Sequence, residues 1–458
     1  MSERLSSSDM SSLLAERGPI HVHVGATIVL DGEPPPYDEF LDHVRTRLNL
    51  VPRFRQRVTE VPLGLANPVW SDDIDFDLEW HVRHVALPRP GNMAQLRDLV
   101  GRVMSEPLDF TRPLWQLYLI EGLEGGRHAA ISKTHHALVD GVSAVDVGTI
   151  MLDPNPEGTE MEIAEERLDP DEPSPEMLLI RGARDRIRKP LKVARKAALG
   201  AVTMPRETAG RVIKTAEGFT SLAAGGPSAQ KMSINVEIGR DRRVGYAATS
   251  LQRIKDARGS NGATVNDVIL SVATGALRSF LEARGEVVPA QMVALVPMSI
   301  RRPEEEHDLG NRIATLMVPL PLGERDPGRR LEKIREATKR LKESEQARAA
   351  SLVIEATGWA PPTINRVLSA AMSRPLTWNL VISNVPGPQL PFYLLGKRMR
   401  EVYPFVPLSP QGHALSIGIV SYDGGVYFGL AGDRDVLADV DDLSAAIESA
   451  IDEQTAEN

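Results

Sequence analysis

The sequence contains no cysteine among its 458 residues. This absence excludes disulfide bridges, thiolate metal sites and iron–sulfur clusters, and it also excludes a covalent acyl intermediate on a cysteine. A Gly-x-Ser-x-Gly nucleophile elbow is absent too, which disfavours a covalent route through serine. We therefore expect any chemistry in this chain to proceed without a covalent enzyme intermediate on a cysteine or on such a serine.

Long apolar runs and an excess of positive charge are also missing. The longest apolar stretch, Met292 to Ile300, has about half the length that crosses a bilayer. The polar N-terminus lacks the apolar core of a signal peptide, so we expect a cytoplasmic protein that can contact the inner membrane or lipid inclusions peripherally. The net charge of -9 and the pI near 5.7 give no global attraction to nucleic acid, which is not expected as a partner.

The length exceeds what one hydrophobic core usually serves, which predicts two domains. Helical and strand-like patterns are mixed rather than strictly alternating, which predicts an α+β fold. The composition changes sharply after Leu152, where proline and acidic residues become frequent. We place an N-terminal domain at 1–152, an acidic linker with basic connecting helices at 153–231, and a C-terminal domain at 232–458.

A basic segment over 181–196 follows the acidic linker directly. One interpretation is a solvated connecting helix that pairs with the linker. The other is a surface that contacts anionic lipid or the phosphates of CoA. The sequence leaves both interpretations open.

Two adjacent histidines end a predicted strand in the first domain. The string His-His-x-x-x-Asp-Gly runs from His135 to Gly141, at a strand–turn–helix junction. Because neighbouring strand residues point to opposite faces, one imidazole should face a cleft and the other the packed side. The pair cannot easily chelate one metal ion, and no metal site is expected. Asp140 can pair with an arginine to fix the loop, and Gly141 permits a tight backbone path.

This string resembles the motif of the CoA-dependent acyltransferase superfamily, which includes chloramphenicol acetyltransferase and peptide-synthetase condensation domains. The Asp-Phe-Gly-Trp-Gly string of the plant members is absent, which weighs against that branch. Further strings resemble those of bacterial wax ester synthase/acyl-CoA:diacylglycerol acyltransferases, in the expected order over nearly the whole chain: Pro107-Leu108-Asp109, Arg112-Pro113-Leu114-Trp115, Asn266-Asp267-Val268-Ile269-Leu270, Val296-Pro297-Met298-Ser299-Ile300-Arg301, Gly310-Asn311-Arg312 and Ser383-Asn384-Val385-Pro386-Gly387-Pro388.

The resemblance implies two chloramphenicol-acetyltransferase-like domains, each a mixed sheet with flanking helices, and a substrate tunnel between them. It implies transfer of a long-chain fatty acyl group from acyl-CoA to diacylglycerol, giving triacylglycerol, or to a long-chain alcohol, giving a wax ester. Acyl-CoA is then a substrate, and no cofactor is expected. His136 is implied as the general base, with His135 beside it in the catalytic motif and Asp140 and Gly141 in structural roles. A neutral histidine suits this role because its pKa, near 6.5, lets it take the hydroxyl proton as attack begins.

Two further regions supply candidate site residues. Asn266 lies at the N-terminal end of a predicted helix, where its amide can stabilise an oxyanion, or where it can simply cap the helix. In the related folds the region around Ser383 and Asn384 lines the tunnel, so these two residues are weak tunnel candidates together with Pro386 and Gly387. The alternative for this string is a plain tight turn.

Three other functions stay open from the sequence. The acceptor can be another alcohol or an amine. The chain can be a condensation-type enzyme that uses a carrier-bound thioester, although no carrier domain is visible in it. It can also be a non-catalytic lipid-binding homologue, which would bind an acyl chain without turnover that depends on His136.

Overall fold

A computed structural model describes residues 3–16, 18–62, 67–138, 151–159, 229–259, 262–299, 313–343, 378–409 and 412–456. Several expectations fall outside these residues: Asp140, Gly141, most of the helix expected over 142–152, and the basic segment over 181–196. The described residues form two six-stranded mixed sheets with flanking helices and one small three-stranded sheet. The predicted α+β content is therefore confirmed.

The described part of the first half contains seven strands and four helices. The strands are Glu3–Arg4 (β1), His23–Asp31 (β2), Gln56–Thr59 (β3), Val69–Asp72 (β4), Val82–Ala86 (β5), Trp115–Leu123 (β6) and Arg127–His135 (β7). The helices are Ser7–Ala15 (α1), Tyr37–Arg47 (α2), Leu78–His81 (α3) and Met93–Ser105 (α4). Short 3-10 turns lie at Leu48–Leu50, Pro52–Arg55 and His136–Leu138.

The described part of the second half adds eight strands and four helices. The strands are Arg242–Ser250 (β8), Met292–Ser299 (β9), Ile313–Leu320 (β10), Leu380–Pro386 (β11), Tyr393–Leu394 (β12), Lys397–Phe405 (β13), Leu415–Tyr422 (β14) and Gly425–Asp433 (β15). The helices are Leu251–Asp256 (α5), Val265–Ala283 (α6), Pro327–Glu343 (α7) and Val440–Ala456 (α8).

The two large sheets are each named by the half that contributes most strands. The N-terminal sheet has the order β12-β13-β2-β7-β6-β5, and the C-terminal sheet has the order β10-β9-β11-β14-β15-β8. The small sheet has the order β1-β4-β3. Helix α6 is buried along most of its length and packs in the core of the second half with α8 and the C-terminal sheet.

Local sequence signals explain several element boundaries. Helices α1, α4 and α6 each begin at a capping box, formed by Ser6 and Asp9 in the case of α1. The hairpin from β14 to β15 turns at Asp423 and Gly424, whose φ angles are 44° and 78°. Two consecutive left-handed residues match a type I′ turn, for which an Asp-Gly pair is favoured.

Strand β13 joins the two halves of the chain. It pairs with β2 in the N-terminal sheet and also packs across β14 and β15 of the C-terminal sheet. At this crossing a Cβ on Gly429 would lie 1.9 Å from the Pro404 carbonyl oxygen. Only glycine permits so close a backbone approach. A second junction packs α4 against β8, where the bare Cα of Gly101 faces the Arg242 carbonyl.

The apolar pattern from Ile234 to Ile238 predicts a strand, and this prediction is wrong, because the segment forms a turn and loop before β8. Both end residues are buried, which produces the alternating apolar pattern. Their backbone makes isolated contacts instead of a ladder: the Ala414 N–H donates to the Ile234 carbonyl oxygen at 2.8 Å.

None of the described helices has the length and apolar character that a membrane span needs.

Candidate active site

Strand β7 sends alternate side chains to opposite faces of the N-terminal sheet. Thr134 lines a cavity, whereas Lys133 and His135 are buried on the opposite face. His136 follows the strand, opens a 3-10 turn and lines the same cavity as Thr134, with its side chain exposed. The two adjacent histidines therefore face opposite ways, as the strand alternation predicts.

The His135 ring is fixed by hydrogen bonds at both nitrogens. Its Nδ1 accepts from the Ala137 N–H at 3.1 Å, so the proton of the neutral ring lies on Nε2 and is donated to Glu16 Oε2 at 2.8 Å. Glu16 is the C-cap residue of α1, and its Oε1 lies 3.1 Å from His21 Nδ1. This chain of contacts ties the N-terminal helix to the turn that presents His136.

His136 is held through its backbone and faces the cavity with its ring. Its N–H donates to the Val22 carbonyl oxygen at 2.9 Å, just before β2. In its side chain, the ring nitrogen Nδ1 lies 3.5 Å from the hydroxyl oxygen of Ser12 on α1. The Nδ1 edge of the ring is therefore turned toward α1, while His136 also lines the cavity.

The cavity lies between the two large sheets and has a volume of about 380 Å³. Apolar side chains from both halves line most of it, among them Val24, Ile28, Leu117, Met399, Val402 and Ile419. Its polar lining residues include Gln116, Ser132, Thr134, His136 and Ser383. A small, mostly apolar chamber with a few convergent polar groups is typical of a site for an apolar ligand that reacts at one end.

Strand alternation also separates the candidates on β11. Ser383 and Val385 line the cavity, whereas Asn384 between them donates from Nδ2 to Asn266 Oδ1 at 3.1 Å. Neither Asn384 nor Asn266 belongs to the described residues that line the cavity. The residue that caps α6 is Thr264, so the N-cap alternative for Asn266 is wrong.

Pro386 is the last residue of β11, and Gly387 follows it; neither is among the described residues that line the cavity. The Gly387 N–H donates to Ser421 Oγ at 3.3 Å, and a Cβ at this position would lie 2.4 Å from the Ser421 carbonyl oxygen. Gly387 therefore serves a close backbone contact between strands.

Several buried or largely buried charges and imidazoles lie behind β7, on the face away from the cavity. Burial alone would raise the pKa of Glu16, but hydrogen bonds from His135 and His21 hold that pKa well below its ordinary value. Burial lowers the pKa of His23 well below its ordinary value, and the charge of Lys133 adds to this effect. Burial lowers the pKa of Lys133 to about 8; its Nζ donates to the Val103 and Glu106 carbonyl oxygens, near the C-terminal end of α4.

The sequence reasoning missed Glu16, His21 and His23, and it missed helix α1, which carries Ser12. Two signals were present. Ser6 and Asp9 have the spacing of a capping box, which marks the start of a helix. His21 and His23 are separated by one residue ahead of an alternating strand, and this spacing places two side chains on one face.

Comparison with known proteins adds to this geometry. The family model of the wax ester synthase/diacylglycerol acyltransferase catalytic domain matches residues 5–269. The model of the C-terminal domain of the same family matches residues 309–454. Two similar proteins come from Mycobacterium tuberculosis, and each is named probable diacylglycerol O-acyltransferase. One is 32% identical over 94% of this chain and 94% of its own length, and the other is 31% identical over 98% and 94%.

Solved structures show the same fold over nearly the whole chain. A wax ester synthase/diacylglycerol acyltransferase from Marinobacter aquaeolei VT8 is 26% identical, with a TM-score of 0.68 and 99% of each chain covered. The starter condensation domain of rhizomide synthetase is 13% identical, with a TM-score of 0.58 and coverage of 99% of this chain and 94% of that one. At that identity the second match shows the fold alone.

The two mixed sheets, the cavity between them and these matches define an acyltransferase with a two-domain fold of the chloramphenicol acetyltransferase type. The chain belongs to the wax ester synthase/diacylglycerol acyltransferase family.

Proposed function

We propose that this protein transfers a fatty acyl group from acyl-CoA to the hydroxyl of diacylglycerol or of a long-chain alcohol, with His136 as the general base. The observation that carries the proposal is the position of His136, a histidine on the wall of an apolar cavity to which both halves contribute. The names of the relatives support diacylglycerol as an acceptor, and the name of the similar solved structure adds the wax ester reaction.

The reaction proceeds in one transfer. The imidazole of His136 takes the proton of the acceptor hydroxyl as its oxygen attacks the thioester carbonyl carbon. The tetrahedral intermediate then collapses: the carbon–sulfur bond breaks, and the proton on His136 passes to the departing CoA sulfur. General-base assistance of this kind accelerates a reaction about 10²–10⁴-fold. No covalent enzyme intermediate is needed, and the chain has no cysteine to carry one.

Ser383 is the residue that we propose to stabilise the oxyanion, because its side chain lines the same cavity as His136. A hydroxyl already directed at the site can donate to the developing negative charge without reorganisation. Asn266 was the sequence candidate for this donor. In the structure its carbonyl oxygen accepts from Asn384, so we assign it to the support of β11 from behind.

The alkyl chain of the substrate fits the apolar part of the cavity. Removal of apolar surface from water contributes about 25 cal/mol per Å², so a long chain gains more from this chamber than a short one. The site needs acyl-CoA as a substrate and, in this proposal, no cofactor for the transfer itself.

We also propose that the edge of the molecule at the end of β11 contacts a lipid surface or lipid inclusion. Leu390 is 63% exposed, and Val385 is exposed while it also lines the cavity. Pro388 lies between them in the chain and lines the cavity as well. An apolar edge beside the cavity gives a water-insoluble acceptor a short path from lipid to His136.

An acceptor panel tests the proposed function. The full-length protein is incubated with palmitoyl-CoA and, in separate reactions, diolein, hexadecanol or hexadecylamine. Because the protein has no cysteine, a thiol-reactive dye reports only released CoA. We expect CoA release with an equal amount of triacylglycerol or wax ester. Absence of release with both lipid alcohols refutes the proposal, and release with the amine alone indicates a condensation-type reaction instead.

A further inference from the structure

A group of three potential metal ligands lies on the face of the N-terminal sheet away from the cavity. Glu16 caps the C-terminal end of α1, His21 precedes β2, and His23 is its first residue. The two imidazoles are stacked nearly parallel, with ring centroids 5.2 Å apart and an interplanar angle of 6°. One ligand atom from each of the three residues lies within 4.8 Å of the other two.

His23 makes this group different from an ordinary hydrogen-bonded cluster. Its side chain is 1% exposed, and neither ring nitrogen has a hydrogen-bond partner among the described residues. Other buried histidines in the described structure hold one nitrogen against a backbone carbonyl oxygen, at 2.8 Å for His81, 2.7 Å for His128 and 2.7 Å for His413. A buried polar group without a partner is costly, so both nitrogens of His23 require an explanation.

The separations suit a small divalent ion. Zinc binds histidine nitrogen and carboxylate oxygen at about 2.0–2.2 Å, so two ligands of a tetrahedral site lie roughly 3.3–3.6 Å apart. His21 Nδ1 and Glu16 Oε1 are 3.1 Å apart, close to that separation. The two rings are parallel, and the lone pair of an imidazole nitrogen lies in the ring plane, so binding requires one of the imidazoles to rotate toward the ion. The same rotation would shorten the widest separation in the group, which is at most 4.8 Å. Two neutral imidazoles and one carboxylate are ligands that zinc and similar first-row metals prefer over magnesium.

We propose that Glu16, His21 and His23 form a binding site for a first-row divalent metal ion, for which Zn²⁺ is the best match. Glu16 Oε2 keeps its hydrogen bond from His135 Nε2, so the carboxylate joins the metal to the first motif histidine. The ion holds α1 and the start of β2 against the end of β7. It lies on the opposite face of the sheet from His136 and takes no part in acyl transfer.

This site uses none of the histidines that the sequence motif contains, so it is compatible with the expectation that His135 and His136 do not share a metal. It departs from the broader expectation that the chain has no metal site. The proposal does not rest on the acyltransferase assignment, because its readouts are metal content and thermal stability.

The test uses the full-length protein, treated with chelator, desalted and dialysed against Zn²⁺ or Mg²⁺. Bound metal is measured by mass spectrometry, metal affinity by isothermal titration calorimetry, and Tm by differential scanning calorimetry. We expect about one zinc per chain, a rise in Tm with zinc because the ion binds only the folded state, and no response to magnesium.

Two variants and one control complete the design. His23→Leu keeps an apolar packed side chain, and we expect it to fold with a Tm at least equal to that of the metal-free wild type while it loses zinc binding. His21→Ala removes a ligand whose side chain is largely buried, and this variant should also lose the ion. His84→Ala, on the surface beside Glu121, should bind zinc as the wild type does. Equal zinc stoichiometry and affinity in wild type and His23→Leu, or no zinc in the wild type, overturns the proposal.

Discussion

His136 and Ser383 come from different halves of the chain and line one cavity. In the proposed mechanism Ser383 contacts the reacting atoms, whereas Asn266 supports β11 from behind. Ser383→Ala should lower kcat on the order of 10²-fold, since the loss of one oxyanion donor typically has this size. The measurement is steady-state CoA release at saturating acyl-CoA.

Asn266→Ala is the matched variant for this prediction. Asn266 contacts Asn384 and is outside the described cavity lining, so its loss should reduce kcat less than the loss of Ser383. A larger decrease for Asn266→Ala than for Ser383→Ala would return the oxyanion role to the amide.

His81 makes stability sensitive to acid. Its ring is stacked against Phe76 and Trp115 and fully buried, and burial lowers its pKa from 6.5 to about 4, with a smaller contribution from the charge of Arg112. Between pH 6.5 and 4 the unfolded chain therefore binds a proton that the folded protein excludes. Stability from this group is complete above pH 6.5 and is lost as the pH falls toward 4.

A phenylalanine at this position keeps the stacked ring and removes the titration. From pH 7 to pH 5, His81→Phe should lose on the order of 2 kcal/mol less stability than the wild type, seen as a smaller decrease in Tm. The variant starts from a lower Tm at pH 7, because the Trp115 carbonyl oxygen loses its donor. Parallel decreases for both proteins would show that His81 is protonated in the folded state.

At the scale of an element, the segment after β11 presents Leu390 to solvent, with 63% of the residue exposed. Leu390→Asp should weaken flotation with lipid vesicles that contain diolein by about 10-fold or more, because burial of one leucine contributes about 1.5–3 kcal/mol. Val287→Asp is the control, since Val287 is 94% exposed and lies in the loop after α6. Equal flotation of the two variants would show that this edge does not make the proposed lipid contact.

Elements with a strong local pattern could be predicted from the sequence. The apolar spacing predicts a helix over 265–284, and α6 spans Val265–Ala283. The sequence also predicts strands over 115–122 and 128–136, and β6 and β7 differ from these bounds by one residue at each shifted end. Strand β13 was missed because its partner β2 lies more than 360 residues away in sequence. Pairing at that distance depends on the tertiary fold and leaves no periodic signal in a short window.

In the candidate site, too, features set by the local backbone could be predicted, whereas features set by the tertiary fold could not. Strand alternation predicted that His135 and His136 face opposite ways, because only the local backbone decides it. The positions of Glu16 and Ser383 depend on which elements the fold brings together. The sequence could name Ser383 but could not separate it from Asn384, since the face toward the cavity depends on the neighbours of β11.

At the scale of the whole molecule, the halves depend on each other because β13 belongs to the N-terminal sheet and crosses the C-terminal one. Gly429→Ala should destabilise the protein by about 3 kcal/mol or more, because the new Cβ meets the backbone oxygen of Pro404, which no side-chain rotation can move. Thermal unfolding measures the effect.

Gly126→Ala supplies the comparison for this junction. Gly126 has a φ of 63° and no atom within 4 Å of an added Cβ, so its substitution should cost only about 1 kcal/mol of backbone strain. Equal losses of Tm for the two variants would show that the crossing at Gly429 has room that the structure does not indicate.

The most direct test of the central claim is the rate of CoA release by His136→Ala with palmitoyl-CoA and the better lipid acceptor. The expected result is a decrease in kcat of about 10²–10⁴-fold with an unchanged Tm, because His136 is exposed and its backbone contact to Val22 remains. His84→Ala, remote from the cavity lining, should keep the wild-type rate. Wild-type turnover by His136→Ala would contradict the assignment of this histidine as the general base.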